Sequence, residues 1–435
     1  MKCRLVAWLL VAAMSGAAVA RSETPSQWAD AHTSELVELY RGFHQHPELS
    51  NQEAQTSARL AELWQQAGYE MHTGIGGYGI VGILKNGPGP TLMLRTDMDA
   101  LPVKEQTGLA YASEVMVENK DGSHTGVMHA CGHDIHMTNL TGVAQYLASH
   151  KDAWSGTIVL VGQPSEERGE GARRMLEDGL FTRFPRPDMA VALHCDGALE
   201  TGKVGYRAGY TLANVDSVDV TMHGRGGHGA APHTVIDPIV QAAQFITSLQ
   251  TLVSRETNPV EPAVVTVGSI HGGTKHNIVP NDCKMQLTVR SYSPTVRERL
   301  LEGIRRKAKA AAASAGAPEP TVEVLNETTP ALFNDEKLTE RVVPVFRKLL
   351  GEGNVVQSEL AMGGEDFSRY GLAGVPVCMF RLGTVEPKRL AGLTRGGMEA
   401  PSLHSATYFP DPDLSLRTGV AAMSEVVLSL LPPKR

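Results

Sequence analysis

Apolar residues recur at helical spacing over residues 28–43 and again over 52–67, where Gly68 ends the second run. The period then changes. Residues 80–84 and 91–95 are short continuous apolar runs, the pattern of buried strands. Helical spacing returns over 133–149 and 173–180, with further buried strands over 157–162 and 189–193. Strands alternating with helices predict an α/β fold around a mostly parallel sheet. After Gly209 the pattern shifts. Residues 215–222, 263–270, 283–291 and 321–325 read as strands, and 235–253 and 296–313 as helices. Their β-α-β-β-α-β order predicts a ferredoxin-like α+β unit. The α/β pattern then resumes with a helix over 335–350, a strand over 375–381 and a final helix over 412–431. The chain thus divides into one α/β domain from residues 21–209 and 326–435, with 210–325 inserted into it.

Length and charge narrow the class. The chain has 435 residues, and at roughly 150 residues per domain that predicts two or three domains. Net charge is −7 and no dense Lys/Arg block occurs, which argues against a nucleic-acid partner. The first twenty residues place Lys2 and Arg4 before an apolar run from Leu5, which ends at Ala18-Val19-Ala20. That is the pattern of a secretory leader removed after Ala20. The run is shorter than the roughly 20 apolar residues of a spanning helix. Cys3 precedes it, so no lipid-anchored cysteine is indicated, and no later stretch is apolar enough to span. The expectation is an exported protein, periplasmic or secreted, with no membrane contact after leader removal. Export permits disulfides, and Cys131, Cys195, Cys283 and Cys378 remain. Cys283 and Cys378 sit in apolar strand-like runs and read as buried thiols.

The densest chemistry lies in MHACGHDIH, which sets Cys131 among His129, His133 and His136. Thiols and imidazoles at that density suit zinc or a similar divalent ion. Glu166 and Glu167 follow the strand over 157–162, and His194 follows that over 189–193, at the strand ends where open α/β sheets place their sites. Adjacent side chains in extended chain point opposite ways, so one glutamate can ligate metal while the other moves a proton. His404 in PSLHS is a further ligand candidate. Asp97 and Asp99 in RTDMDALP can be ligands, groups that orient a ligating histidine, or a simple turn. His44 and His46 in HQHPE can ligate at i, i+2 or shape a helix end before Pro47.

The ordered set FHQHPELS, LRTDMDALPV, GVMHACGHDIHMT, GQPSEE, ALH, GRGGHGAAPH, DPI, NIVP, GGEDF and LHS resembles the M20 metallopeptidase family. The match is to its amidohydrolase branch of hippurate, N-acyl-amino-acid and auxin-conjugate hydrolases, and it spans nearly all of the chain after residue 20. The resemblance implies two divalent metal ions, zinc or alternatively manganese, cobalt or nickel. It implies Cys131 as bridging ligand, His133 and Glu167 on one ion, and His194 and His404 on the other. Glu166 would be the general base and Asp97 a supporting group. The inserted unit would be a lid and dimerisation domain that makes a homodimer. Its His228 would reach the partner's site to steady the oxyanion, and Asn277 and Arg290 would contact the substrate carboxylate. The implied reaction is hydrolysis of N-acyl or N-aroyl amino acids. A dipeptidase or carboxypeptidase on the same scaffold is the alternative, and a non-catalytic binder is disfavoured because Glu166 accompanies the full ligand set. Two residues depart from the family pattern: Cys195 beside His194, a thiol that would be either a buried spectator or a competitor for metal, and His276 beside Asn277.

Overall fold

The computed structural model describes residues 23–325, 328–397, 400 and 402–434, so the leader read over residues 1–20 lies outside the described residues. The first helix, Pro25–Gln45, begins at a capping box: Thr24 accepts from the Gln27 backbone N–H, and the Gln27 side chain accepts from that of Thr24. It buries Trp28, Leu36, Tyr40 and Phe43.

An eight-stranded sheet runs in the order Glu70–Ile75, Gly79–Asn86, Gly156–Gln163, Thr91–Asp97, Met189–Glu200, Val377–Val385, Val204–Tyr206, Val355–Gln357. Its centre, from Gly156–Gln163 to Val377–Val385, is parallel. Antiparallel strands extend it on both sides. The sheet is therefore parallel where the βα pattern runs, and of its antiparallel pairs only Glu70–Ile75 with Gly79–Asn86 is joined by a short turn.

Strand periodicity divides the core into two layers. Leu92, Leu94, Ile158, Leu160, Val191, Leu193, Phe380 and Leu382 pack on one face, against helices that include Pro25–Gln45, His133–Ser149 and Pro412–Leu430. Met93, Val159, Val161, Ala190, Ala192 and Met379 pack on the other, with Met175, Phe181 and Phe367. Continued along each strand, this second face turns polar: Arg95 and Asp97, Gln163, His194, Arg381. That switch is what places the site.

The inserted region forms a separate four-stranded antiparallel sheet in the order Ala263–His271, Asp282–Ser291, Asn214–His223, Thr321–Val324. Helices Pro238–Leu249 and Pro294–Ser314 cover it, with Phe245, Leu287 and Ile304 in its own core. This is the ferredoxin-like order read from the sequence. Ala263–His271 is an edge strand. No helix of the described residues is long and apolar enough to cross a membrane.

The differences from the sequence reading have local causes. His194 lies inside a strand, because Met189–Glu200 stays paired with Val377–Val385 as far as Val385 opposite Glu200. The helix read over 173–180 is Gly171–Glu177 followed by Leu180–Arg183, interrupted at Gly179 with φ +92°. The helix read over 235–253 starts later, at Pro238, where Asp237 caps the Ile239 and Val240 N–H groups.

Candidate active site

The helix His133–Ser149 points its first turn at the polar end of the sheet. Gly132 permits this: its φ is +80°, and a Cβ there would stand 2.9 Å from Cys195 Sγ. Cys131 and His133 therefore project from a tight turn beside His194. Cys131 Sγ lies 3.7 Å from His194 Nε2 and 3.3 Å from His404 Nε2. His404 Nε2 is 3.4 Å from Glu167 Oε1. His133 Nε2 is 3.9 Å from Glu167 Oε1 and 4.0 Å from Glu166 Oε2. Of five compact triads among the described residues, two contain Cys131: Cys131–His133–His194 and Cys131–Glu167–His404, which set His133 with His194 and Glu167 with His404 where the resemblance implies His133 with Glu167 and His194 with His404. Cys131 is common to both, as a bridging ligand requires.

These residues fit a divalent metal. His133 Nε2 and Glu167 Oε1 are buried and have no hydrogen-bond partner among the described residues, yet both aim into the cluster. Charge points the same way. Asp97, Asp99, Glu166, Glu365 and Asp366 are buried close together, and Arg95 is the buried guanidinium among them. It meets Asp97 at 2.7 Å, Glu365 at 2.9 Å and Asp366 at 3.2 Å. One cation cannot neutralise that many carboxylates, and the excess favours protons or metal ions. Burial, with Glu365, Glu167 and Asp366, pushes the Glu166 carboxyl well above its usual range. Burial alone would lower His133, but Asp97, Asp99 and Glu167 outweigh it and hold the imidazole at about 10.

Asp99 orders the site from behind. Its carbonyl lies 2.8 Å from His133 Nδ1, and its carboxylate accepts the Glu166 and Glu167 backbone N–H groups at 3.1 and 3.0 Å. Asp97 lies 2.6 Å from His136 Nδ1, and His136 Nε2 accepts the Cys195 N–H at 2.8 Å. His136 is thus fully engaged, and it ties Asp97 to the backbone just beyond His194. Ser165 before Glu166 and His404 itself adopt left-handed φ of 53° and 69°, strain of the kind that collects at functional sites. Asp99→Ala is expected to weaken metal retention about 10- to 100-fold. Chelator competition measures it, and unchanged retention would remove Asp99 from this role.

Cys131, Glu166, Glu167, His194 and His404 line a cavity of about 680 Å³ together with Arg290 and Arg381. Arg290 donates to the Met362 carbonyl at 2.6 Å. His228 and Asn277 do not line this cavity. Both are exposed on the small ribbon of Gly227–His228 and Ile278–Val279, where the Gly229 N–H bonds to the Asn277 carbonyl. His276 is exposed beside them. Cys195 faces away from the metal triads, with its thiol 3.6 Å from the Gly132 carbonyl. All of the described cysteines are free and buried.

His44 and His46 part company. His46 Nδ1 lies 2.9 Å from the Gly42 carbonyl at the helix end. His44 is buried, 2.7 Å from Asp134 and 3.1 Å from Glu105. Burial opposes its charge, but those two carboxylates raise it to about 9. His44 thereby fastens the first helix to the turn that carries His133. A folded pKa above the unfolded value of about 6.5 stabilises fully below pH 6.5 and is lost as pH rises through 9, a contribution on the order of 3 kcal/mol. Stability should fall over that window in the wild type and less steeply in His44→Gln; parallel slopes in denaturant melts would contradict the pairing. His129 is the opposite case: both ring nitrogens lack partners among the described residues, and burial lowers it to about 4.

Arg95, Glu365 and Asp366 carry no role in the sequence reading, and His44, read there as a ligand or a helix-end residue, is instead the buried partner of Asp134 and Glu105. The usable signal for Arg95 is a charged residue at a core-facing position of an apolar strand. For Glu365 and Asp366 it is the GGEDF match itself.

The sequence model of Peptidase family M20/M25/M40 matches residues 93–396. Thermostable carboxypeptidase 1 of Saccharolobus solfataricus is 36% identical over 391 residues, 89% of this chain and 93% of that protein. The N-acetyl-L-cysteine deacetylase of Bacillus subtilis is 36% identical over 341 residues, 77% of each chain. Among solved structures, the Bacillus subtilis YXEP protein, a dinuclear metal-binding peptidase from the M20 family, superposes with a TM-score of 0.75 at 28% identity, covering 92% of this chain and 99% of that one. With this match, and a Cys/His/Glu cluster at the polar end of its sheet, the chain belongs to peptidase family M20/M25/M40 and is a metal-dependent amide-bond hydrolase.

Proposed function

We propose that the enzyme hydrolyses N-acyl or N-aroyl amino acids to a carboxylic acid and a free amino acid. One observation carries this reading over a dipeptidase. The acids lining the cavity are Glu166 and Glu167, one assigned to proton transfer and the other to metal, while its other charged groups include Arg290 and Arg381. Among the described residues, no lining carboxylate is left to pair the ammonium of an unblocked dipeptide. An acylated nitrogen needs none, and its amino-acid carboxylate suits an arginine.

Cys131, His133, Glu167, His194 and His404 would hold two divalent ions, zinc by donor type. Such ions supply Lewis acidity and a water that ionises near neutral pH. Glu166 takes the proton of the attacking water and delivers it to the leaving nitrogen. Burial pushes its pKa up from the usual carboxylate range, the direction that a proton carrier needs. Arg290 holds the substrate carboxylate, and Asn277, exposed outside this cavity beside the His228 ribbon, would reach it only from a second copy of the chain.

His228 steadies the oxyanion from a second copy of the chain, in a homodimer built through the inserted unit. Support for the dimer is the unpaired edge strand Ala263–His271 and the exposed Ile239, Val240, Ile270 and Ile278 on the same unit. Residues 1–20 would direct export. The substrate test compares N-acetyl and N-benzoyl amino acids with free-amine dipeptides on metal-loaded enzyme. Turnover of the acylated set is expected; cleavage of dipeptides alone would move the protein to the peptidase reading that its carboxypeptidase relatives suggest.

A further inference from the structure

Arg381 has no part in the chemistry above, yet it stands beside it. It lies on Val377–Val385 directly opposite His194 in parallel register, and its neighbours Phe380 and Leu382 are buried in the opposite layer. Its side chain therefore shares His194's face. It lines the metal cavity and also a second cavity of about 1090 Å³. Ala361, Gly363 and Leu403 line both as well, so the two spaces meet at Arg381.

Arg381 is partly buried, and its guanidinium forms no hydrogen bond or ion pair among the described residues. The other arginines nearby are engaged: Arg290 with the Met362 carbonyl, and Arg207, in the second cavity, with the Tyr210 and Ser358 carbonyls. Asp196 and Glu359 line the second cavity, and neither pairs with Arg381. A partly buried, unpaired cation is costly. A planar fork facing a cavity is the geometry that receives a carboxylate.

We propose that Arg381 binds a second anionic group on the substrate, so that the preferred substrates are N-acyl amino acids carrying an additional carboxylate. This rests on the amidase reading and narrows its substrate class. The second carboxylate can belong to the amino-acid part or to the acyl part. A rival role exists on the same geometry: burial first, and then Arg381, disfavours the charged form of His194, so Arg381 could act only by helping to keep that ligand free for metal. The two roles differ in what they discriminate.

The test measures kcat/KM for N-acetyl-L-glutamate against N-acetyl-L-glutamine, and for N-succinyl-L-leucine against N-butanoyl-L-leucine, in wild type, Arg381→Met and Arg381→Lys. Metal content is read in each. The wild type should favour the acidic member of one pair. Arg381→Met should lose that preference about 10- to 100-fold, with Arg381→Lys between. The pair that responds assigns the carboxylate to the amino-acid or the acyl side. Equal losses on all substrates together with lost metal would establish the rival role, and an unchanged ratio in both pairs would overturn the proposal. Calorimetric binding of glutarate against pentanoate to metal-loaded wild type, Arg381→Met and Arg381→Lys needs no turnover. Tighter glutarate binding by the wild type, lost in Arg381→Met with metal retained, is expected, and equal binding by the wild type or the same preference in the variants would overturn the proposal. If the wild type cleaves dipeptides alone, the amidase reading fails while the glutarate comparison still decides Arg381.

Discussion

Glu166→Gln is expected to keep its metal and lose activity by about 10² to 10⁴-fold, the range for removing a positioned proton carrier. The amide keeps the shape of the side chain but cannot take a proton. The change also removes one negative charge from the Glu166, Glu365 and Asp366 cluster, so the fold should be no less stable. Metal analysis separates this from ligand loss: Glu167→Gln, one residue away, should lose metal along with activity. Near-wild-type turnover by Glu166→Gln would remove it as the base.

His228→Ala should also be nearly inactive, by about 10² to 10³-fold if it is an oxyanion donor. In this chain His228 is exposed and outside the metal cavity. It can act only across a subunit boundary or after a large movement of the inserted unit. Mixing separates the two. A dimer of His228→Ala with Glu166→Gln contains one site with both groups intact, so random mixing should restore about a quarter of wild-type turnover. Failure of two inactive proteins to restore each other, with exchange shown by mass, would place His228 outside the partner's site.

Much of the architecture was legible because each layer announces itself by period. The strands at 91–95 and 157–162 are apolar on both sides, and the inserted unit alternates strictly, as in Asn214–His223 with every second residue buried. The ligand candidates Cys131, His133, Glu167, His194 and His404 were legible from residue type and position after apolar runs. What the sequence hides is three-dimensional pairing. Asp99 holds His133 and both glutamates across 34 to 68 residues of chain, and Arg95 meets Glu365 across 270. No periodicity encodes such separations. His44 looked like a helix-end residue because its carboxylate partners are distant: Glu105 lies 61 residues away and Asp134 lies 90. Adjacency to His194 leaves Cys195 open between buried spectator and competitor for metal, and strand alternation, which turns the two side chains to opposite faces, makes it the spectator.

The most direct test is anomalous diffraction from crystals of the metal-loaded enzyme. The account expects two peaks per chain, both within bonding distance of Cys131 Sγ, with His133, Glu167, His194 and His404 completing the two sites. Peaks at Asp97 and His136 instead, or a site without Cys131, would contradict it.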